Sequence, residues 1–138
     1  MILESLDFEY AEARKATLGT PPMPKGLNTS IDITNAVVRD KGLDLNFAYL
    51  VTYIPDKSFI RINGKARFKG PDVRKAYAEW KKTRNVSGKP GEQLINAINY
   101  SASLNSIFIA RVFNLTPPVI PPSIRFGKPG PIKSGKKK

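Results

Sequence analysis

Apolar and polar residues alternate through the middle of the chain, a pattern that predicts strands with one buried face. In LDLNFAYLVTY the alternate apolar residues are Leu43, Leu45, Phe47, Tyr49, Val51 and Tyr53. In SFIRINGKARFKG the same period puts Ile60, Ile62, Gly64, Ala66 and Phe68 on one face. NTSIDITNAVV alternates at Ile31 and Ile33 and loses register near Asn35, which predicts a strand with a bulge. The RDKG and IPDK segments between these runs are typical of turns, so the three runs predict an antiparallel meander.

The apolar spacing changes to three and four residues after Gly70, which predicts helices. In GPDVRKAYAEWKKTRN we expect Tyr77 and Trp80 to share the core-facing side of an amphipathic helix. Two further helical stretches are predicted at EQLINAINY and LNSIFIARVF, separated by the polar NYSAS segment. Ser101 or Ser103 would cap the last of them. The sequence therefore predicts an α+β fold, an antiparallel sheet meander of about four strands with two to three C-terminal helices packed on one face.

Both ends of the chain depart from this pattern. ESLDFEYAEARKA is compatible with a short amphipathic helix or an edge strand, and the spacing of Leu6, Phe8 and Tyr10 favours a strand. GTPPMPKG is typical of a loop, and the four prolines of NLTPPVIPPSIRF predict an extended segment. GKPGPIKSGKKK is too rich in Gly, Pro and Lys to fold. We therefore expect an N-terminal segment and loop over residues 1–26, the α+β domain over 27–126 and a disordered basic tail over 127–138.

Cysteine and histidine are absent, which removes disulfides, thiol nucleophiles and the usual metal ligands. There is no glycine-rich phosphate loop, and Asp32, Asp44 and Asp56 fall in different strands or turns and form no acid/base pair. We find no run of about 18 apolar residues and no signal segment. The sequence therefore predicts a cytoplasmic, non-enzymatic protein with no cofactor, no metal and no membrane insertion.

The charge is strongly positive and unevenly placed. The formal net charge is +12, and residues 57–89 hold eleven basic residues against two acidic ones. Such an excess favours a polyanionic partner, most commonly nucleic acid. For the basic strand the alternative is a solvated outer face that discourages edge pairing. The candidate nucleic-acid contacts are Arg61, Lys65, Arg67, Lys69, Lys81, Lys82, Arg84, Lys133, Lys136, Lys137 and Lys138.

The order of several segments resembles that of a known family. The predicted meander ends in a Gly-bearing strand, FIRINGKARF. A helix with a polar interruption at 99–103 follows it. The apolar stretch 104–113 and a Pro-bearing run at 120–126 come next. This order resembles the C-terminal two-thirds of the bacterial export chaperone SecB and its archaeal and toxin-linked relatives, over roughly residues 28–126. That family is acidic, whereas this chain is basic with a lysine tail.

The resemblance implies a non-enzymatic, holdase-type protein that binds non-native polypeptide through apolar grooves on a homo-oligomer. The groove residues we expect are Phe47, Tyr49, Phe108 and Phe113. The basic surface would place such a protein on RNA, with the ribosome as the expected location. The alternative is a ribosome-associated or RNA-binding structural protein that uses the same fold without chaperone activity.

Overall fold

Four β-strands and two α-helices make up the protein in the computed structural model, which describes residues 1–16, 26–55 and 57–118. In chain order the elements are β1 (Ile2–Arg14), β2 (Gly26–Arg39), β3 (Gly42–Ile54), β4 (Phe59–Lys69), α1 (Val73–Thr83) and α2 (Gly88–Val112). The strands form one antiparallel sheet, and both helices contribute to the core on one face of it. The predicted α+β fold class is therefore confirmed.

The strand order in the sheet is β1-β4-β3-β2. Strands β2, β3 and β4 form the predicted meander, because each pairs antiparallel with the next along the chain. Strand β1 does not extend the meander at the β2 edge. It pairs antiparallel with β4 along its whole length, from Ile2 opposite Lys69 to Arg14 opposite Phe59. Residues 2–14, which we expected to form a separate N-terminal segment, are therefore a strand of the same sheet.

Local features of the meander follow the sequence closely. The pairing of β2 with β3 shifts between Ile33 and Asn35, so the predicted bulge is present. The β2–β3 turn contains Asp40 and Lys41 with φ angles of 50° and 65°. Two consecutive positive φ angles suit a two-residue hairpin, because their twist matches that of the flanking strands. The turn therefore delivers β3 directly beside β2.

The core between the sheet and the helices consists of two clusters. The larger, which includes Phe68 and Trp80, joins the sheet to α1 and the first half of α2. The smaller, which includes Tyr49 and Ile60, joins the sheet to the second half of α2. All six apolar residues that the sequence placed on one face of β3 are buried. Trp80 is buried as predicted and its indole N–H donates to the carbonyl of Ile33 at 3.4 Å, while Tyr77 is partly buried against the same cluster.

The polar segment at 99–103 does not interrupt the second helix, so the prediction of separate helices there was wrong. Helix α2 runs for 25 residues without a break, and Ser101 and Ser103 lie in its middle rather than at a cap. The polar groups turn inward: Ser103 Oγ lies 3.1 Å from the Tyr49 hydroxyl and donates to Asn99 Oδ1 at 3.2 Å. Because these buried groups satisfy one another, the helix continues across the sheet.

The chain after α2 turns back onto the sheet. Asn114 has a φ of 61°, Leu115 is buried in the smaller cluster, and the Tyr53 hydroxyl donates to the carbonyl of Thr116. The predicted basic tail, and most of the predicted extended run, lie outside the described residues. In the described part of the chain, neither helix combines the length and apolar character needed to cross a lipid bilayer.

Candidate binding surfaces

Four of the predicted nucleic-acid contacts lie on the outward face of β4, and each is paired with a carboxylate of a neighbouring strand. The pairs, with their N–O distances, are Arg61–Glu12 (3.2 Å), Lys65–Glu9 (3.3 Å), Arg67–Glu4 (2.8 Å), Arg67–Asp44 (2.7 Å) and Lys69–Glu4 (2.8 Å). The chain therefore neutralises its basic strand with its own acids. This arrangement corresponds to the outer-face alternative and removes β4 as an uncompensated cationic surface.

Arg67 is the centre of this network, and only 20% of its side chain is exposed. Besides its two carboxylate partners, its guanidinium donates to the carbonyls of Arg39 at 2.9 Å and Asp40 at 3.2 Å. It also covers Gly42, where an added Cβ would stand 2.6 Å from the guanidinium carbon. Because Arg67 joins β1, β3 and the β2–β3 turn at once, we assign it to holding the sheet together.

The ion pairs also shift protonation equilibria. The hydrogen bond from Lys69, together with the contacts of Arg67, lowers the pKa of Glu4. The hydrogen bond with Asp44, together with that to Glu4, raises the pKa of Arg67. Both shifts favour the charged forms of Glu4 and Arg67. The ion pairs between β1 and β4 are therefore stronger at pH values at which Glu4 is ionised.

The acids of β1 reach β4 through two irregularities in the pairing. The register of β1 against β4 shifts between Leu3 and Ser5 and again between Phe8 and Tyr10, so the extra residues are Glu4 and Glu9. The cations of β4 are spaced two or four residues apart, whereas the acids of β1 are not. The two bulges compensate for this difference, so that the acids of β1 lie beside the cations of β4. The strict alternation used to interpret the sequence could not reveal this match, although the four acids among the first twelve residues were a visible signal.

The predicted contacts beyond β4 have a different environment. Lys81 and Lys82 are exposed on α1, with Lys81 Nζ 5.8 Å from the centre of the Tyr77 ring. Arg84 ends the helix at a φ of 62° and lies over Trp80, with its guanidinium carbon 4.5 Å from the ring centre. Across the described residues, none of these three cations has a carboxylate within ion-pair distance. Lys133, Lys136, Lys137 and Lys138 lie outside the described residues.

The sequence analysis left two further cations of α1 out of the predicted site. Arg74 and Lys75 are exposed on the same helix and lack an ion pair within the part of the chain that the structure describes. Both residues could have been identified from their position, because they follow the buried Val73 by one and two residues. The side of a helix away from its apolar residues faces solvent. The exposed cationic surface is therefore on α1.

The predicted groove residues separate into buried and exposed ones. Phe47 and Tyr49 are 1% and 0% exposed, so they are core residues and cannot line an open groove. Phe113 is partly buried against the smaller cluster. Phe108 alone among the four has a largely exposed side chain, at 67%.

Phe108 belongs to a row of apolar side chains that we call the α2 ridge. Its members are Tyr100, Leu104, Phe108 and Val112, which are 61%, 40%, 67% and 78% exposed. A spacing of four residues puts them along one side of the helix. Tyr100 was not grouped with the other three, because the predicted break at 99–103 separated it from the helical stretch 104–113 that contains them.

The remaining recesses give no indication of chemistry. A recess of about 350 Å³ on the outer face of the sheet lies around Arg67 and Asp44, whose charges are already paired. Within residues 1–16, 26–55 and 57–118, no three acidic side chains come together in a way that could hold a metal ion.

These elements define an α+β protein whose distinguishing features are a cationic helix and an apolar helical ridge. The chain matches no protein-family model and no curated protein. Among solved structures it is similar to a protein of unknown function from Streptococcus agalactiae, with 14% sequence identity, coverage of 91% of this chain and 96% of that chain, and a TM-score of 0.43. Membership of the SecB-like family finds no support in these comparisons and stays a prediction.

Proposed function

We propose that the protein binds non-native polypeptide through the α2 ridge. The observation that carries the proposal is the exposure of four large apolar side chains in one row of a helix. Contiguous apolar surface of this kind marks an interaction site, because water contact is unfavourable for it and a partner removes that contact.

The spacing of the ridge suits an extended chain. Residues four apart on a helix are separated by about 6 Å along its axis, since the rise is about 1.5 Å per residue. Alternate side chains of an extended strand are separated by about 6.6 Å and point the same way. Successive ridge residues, from Tyr100 to Val112, rise about 18 Å along the axis and advance about 40° around it at each step. An extended polypeptide that lies obliquely along this ridge can therefore contact them with every second side chain.

The surroundings of the ridge favour apolar clients. From Leu94 to Ala110 the helix has no charged residue, and Arg111 is the first charge after it. The interaction is therefore expected to be hydrophobic and only weakly dependent on salt, whereas the net charge of +12 favours clients with acidic flanks. This expectation agrees with the polypeptide binding that the sequence resemblance implies.

The test is suppression of aggregation of a chemically unfolded client, measured by light scattering, with a double variant Phe108→Ser and Val112→Ser. Both side chains are more than two-thirds exposed, so the fold is expected to be unaffected. We expect the wild type to suppress aggregation and the double variant to lose most of that effect, because two of the four ridge side chains are removed.

The control variant is Val37→Ser, which removes an apolar side chain that is 47% exposed on β2, away from the ridge. It should keep the wild-type effect. Absence of suppression by the wild type would contradict the proposal, as would an equal loss in the control variant. Wild-type dimerisation that depends on Phe108 without any effect on clients would assign the ridge to self-association and would also overturn it.

A further inference from the structure

We propose that the outward face of α1 binds the phosphate backbone of a nucleic acid. This surface is distinct from the α2 ridge, so the inference goes beyond polypeptide binding and does not depend on it. It also moves the expected polyanion contact from the sheet, where the sequence placed most of it, to a helix.

Four cations converge on one side of α1. With 3.6 residues per turn, Arg74, Lys75, Lys81 and Lys82 fall within an arc of about 120° centred near Ala78. All five residues are exposed. From Arg74 to Lys82 the helix rises about 12 Å, a length over which a nucleic-acid duplex carries about seven phosphate charges. Each of the four cations can therefore meet a separate phosphate.

The nearby acids do not neutralise this face. The carboxylate of Glu79 accepts hydrogen bonds from the backbone N–H of Ser87, at 3.0 Å, and from its hydroxyl. Asp72 precedes the first turn of the helix and lies about 120° around its axis from Ala78. In the described ranges, neither acid forms an ion pair with Arg74, Lys75, Lys81 or Lys82.

The composition of the face favours nucleic acid over an anionic membrane. A helix that binds a membrane surface inserts apolar side chains beside its cations. Among the large apolar and aromatic residues of α1, Val73 and Trp80 are buried against the sheet, and Tyr77 is partly buried against the same cluster. Ala78 is the apolar residue at the centre of the cationic face. Such a face provides charge without an apolar side chain large enough to insert.

The expected affinity depends steeply on salt. Four phosphate contacts on a single strand give a slope of about −2.8 in a plot of log affinity against log salt concentration. Affinity should therefore fall by about 50-fold between 50 and 200 mM salt. Basic residues outside the described part of the chain add to the total slope, so the contribution of α1 must be measured as a difference.

The test compares two full-length variants that each lose four cations. The first changes Arg74, Lys75, Lys81 and Lys82 to Gln, which retains good helix propensity. The second changes Arg39, Arg61, Lys65 and Lys69 to Gln, four cations that are paired within the sheet. Both lower the formal net charge from +12 to +8. Binding to a 20-nucleotide single-stranded RNA and to a DNA duplex is measured by fluorescence anisotropy from 50 to 200 mM salt, after circular dichroism has verified the fold.

We expect the α1 variant to lose most of the RNA affinity, with a salt slope smaller in magnitude by about three than that of the wild type. The slope of the sheet variant should differ from that of the wild type by less than about one. Equal losses in both variants would show that net charge alone matters and would overturn the assignment. Wild-type binding to phosphatidylserine vesicles but to neither nucleic acid would assign the face to membranes. Client aggregation assays with the α1 variant separate the two proposals, because the α2 ridge is intact in it.

Discussion

The cations of β4 and those of α1 have a similar density in the sequence but different environments in the fold. On β4 every outward cation has a carboxylate partner, whereas on α1 none has one among the described residues. The difference arises from the neighbours. Strand β4 lies between two strands that supply acids, while the outward side of α1 faces solvent. A run of basic residues therefore predicts a polyanion site only where the fold leaves it without acidic neighbours.

The largest effect should come from Gly64, where the backbone of β1 occupies the space that a side chain would need. A Cβ at this position would stand 2.3 Å from the carbonyl oxygen of Asp7 and 2.9 Å from Phe47. Because backbone must move to accept it, we expect Gly64→Ala to reduce the free energy of unfolding by about 3 kcal/mol or to prevent folding. Gly26→Ala is the control, since no atom of the described residues lies within 4 Å of its added Cβ. Urea unfolding followed by circular dichroism measures both, and equal stability of the two variants would contradict the close approach of β1.

A second prediction tests the pairing itself by removing the acids of β1. The triple variant Glu4→Gln, Glu9→Gln and Glu12→Gln frees Arg61, Lys65 and Lys69, while Arg67 keeps its ion pair with Asp44. RNA binding should therefore gain contacts, and the magnitude of the salt slope should rise by up to about two. The matched control is Asp7→Asn, Asp32→Asn and Asp40→Asn, which changes the net charge equally but removes acids without an ion pair in the described residues. The same gain in both variants would mean that the β1 pairs do not mask β4.

The third and smallest effect concerns pH. The folded-state pKa of Glu4 is below its ordinary value of 4.5, so Glu4 contributes stability above that value and loses the contribution as pH falls through the lowered pKa. The melting temperature of the wild type should therefore exceed that of Glu4→Gln at pH 7, and the difference should vanish near pH 2. Asp7→Asn, which removes a β1 acid that has no ion pair with any described residue, should show a smaller difference at pH 7. A wild-type advantage that persists at pH 2 would contradict the role of the ionised carboxylate.

Local periodicity explains why so much of the sheet could be predicted. The buried face of β3, the bulge near Asn35 and the turn at Asp40 all depend on residues within a few positions of one another. The placement of β1 beside β4 could not be predicted in this way, because the contact joins residues about 50 to 65 positions apart, such as Arg61 with Glu12 and Arg67 with Glu4.

The candidate site was predicted less well for the same reason. Lys81 and Lys82 were named from local charge, but no local pattern indicated that Arg67 would bridge two strands. Tyr100 was not linked to the rest of the α2 ridge, because polar residues such as Ser103 were interpreted as a helix break. In the fold Ser103 is 2% exposed and lies within hydrogen-bond distance of Tyr49, so polarity marks a contact with the sheet rather than an interruption.

Lysine acetylation followed by mass spectrometry, with and without single-stranded RNA, compares the two regions within one molecule. We expect RNA to protect Lys75, Lys81 and Lys82 of α1 and to leave the reactivity of Lys65 and Lys69 on β4 unchanged. Protection of the β4 lysines without protection of those on α1 would contradict the claim that the fold neutralises one cationic region and leaves the other available.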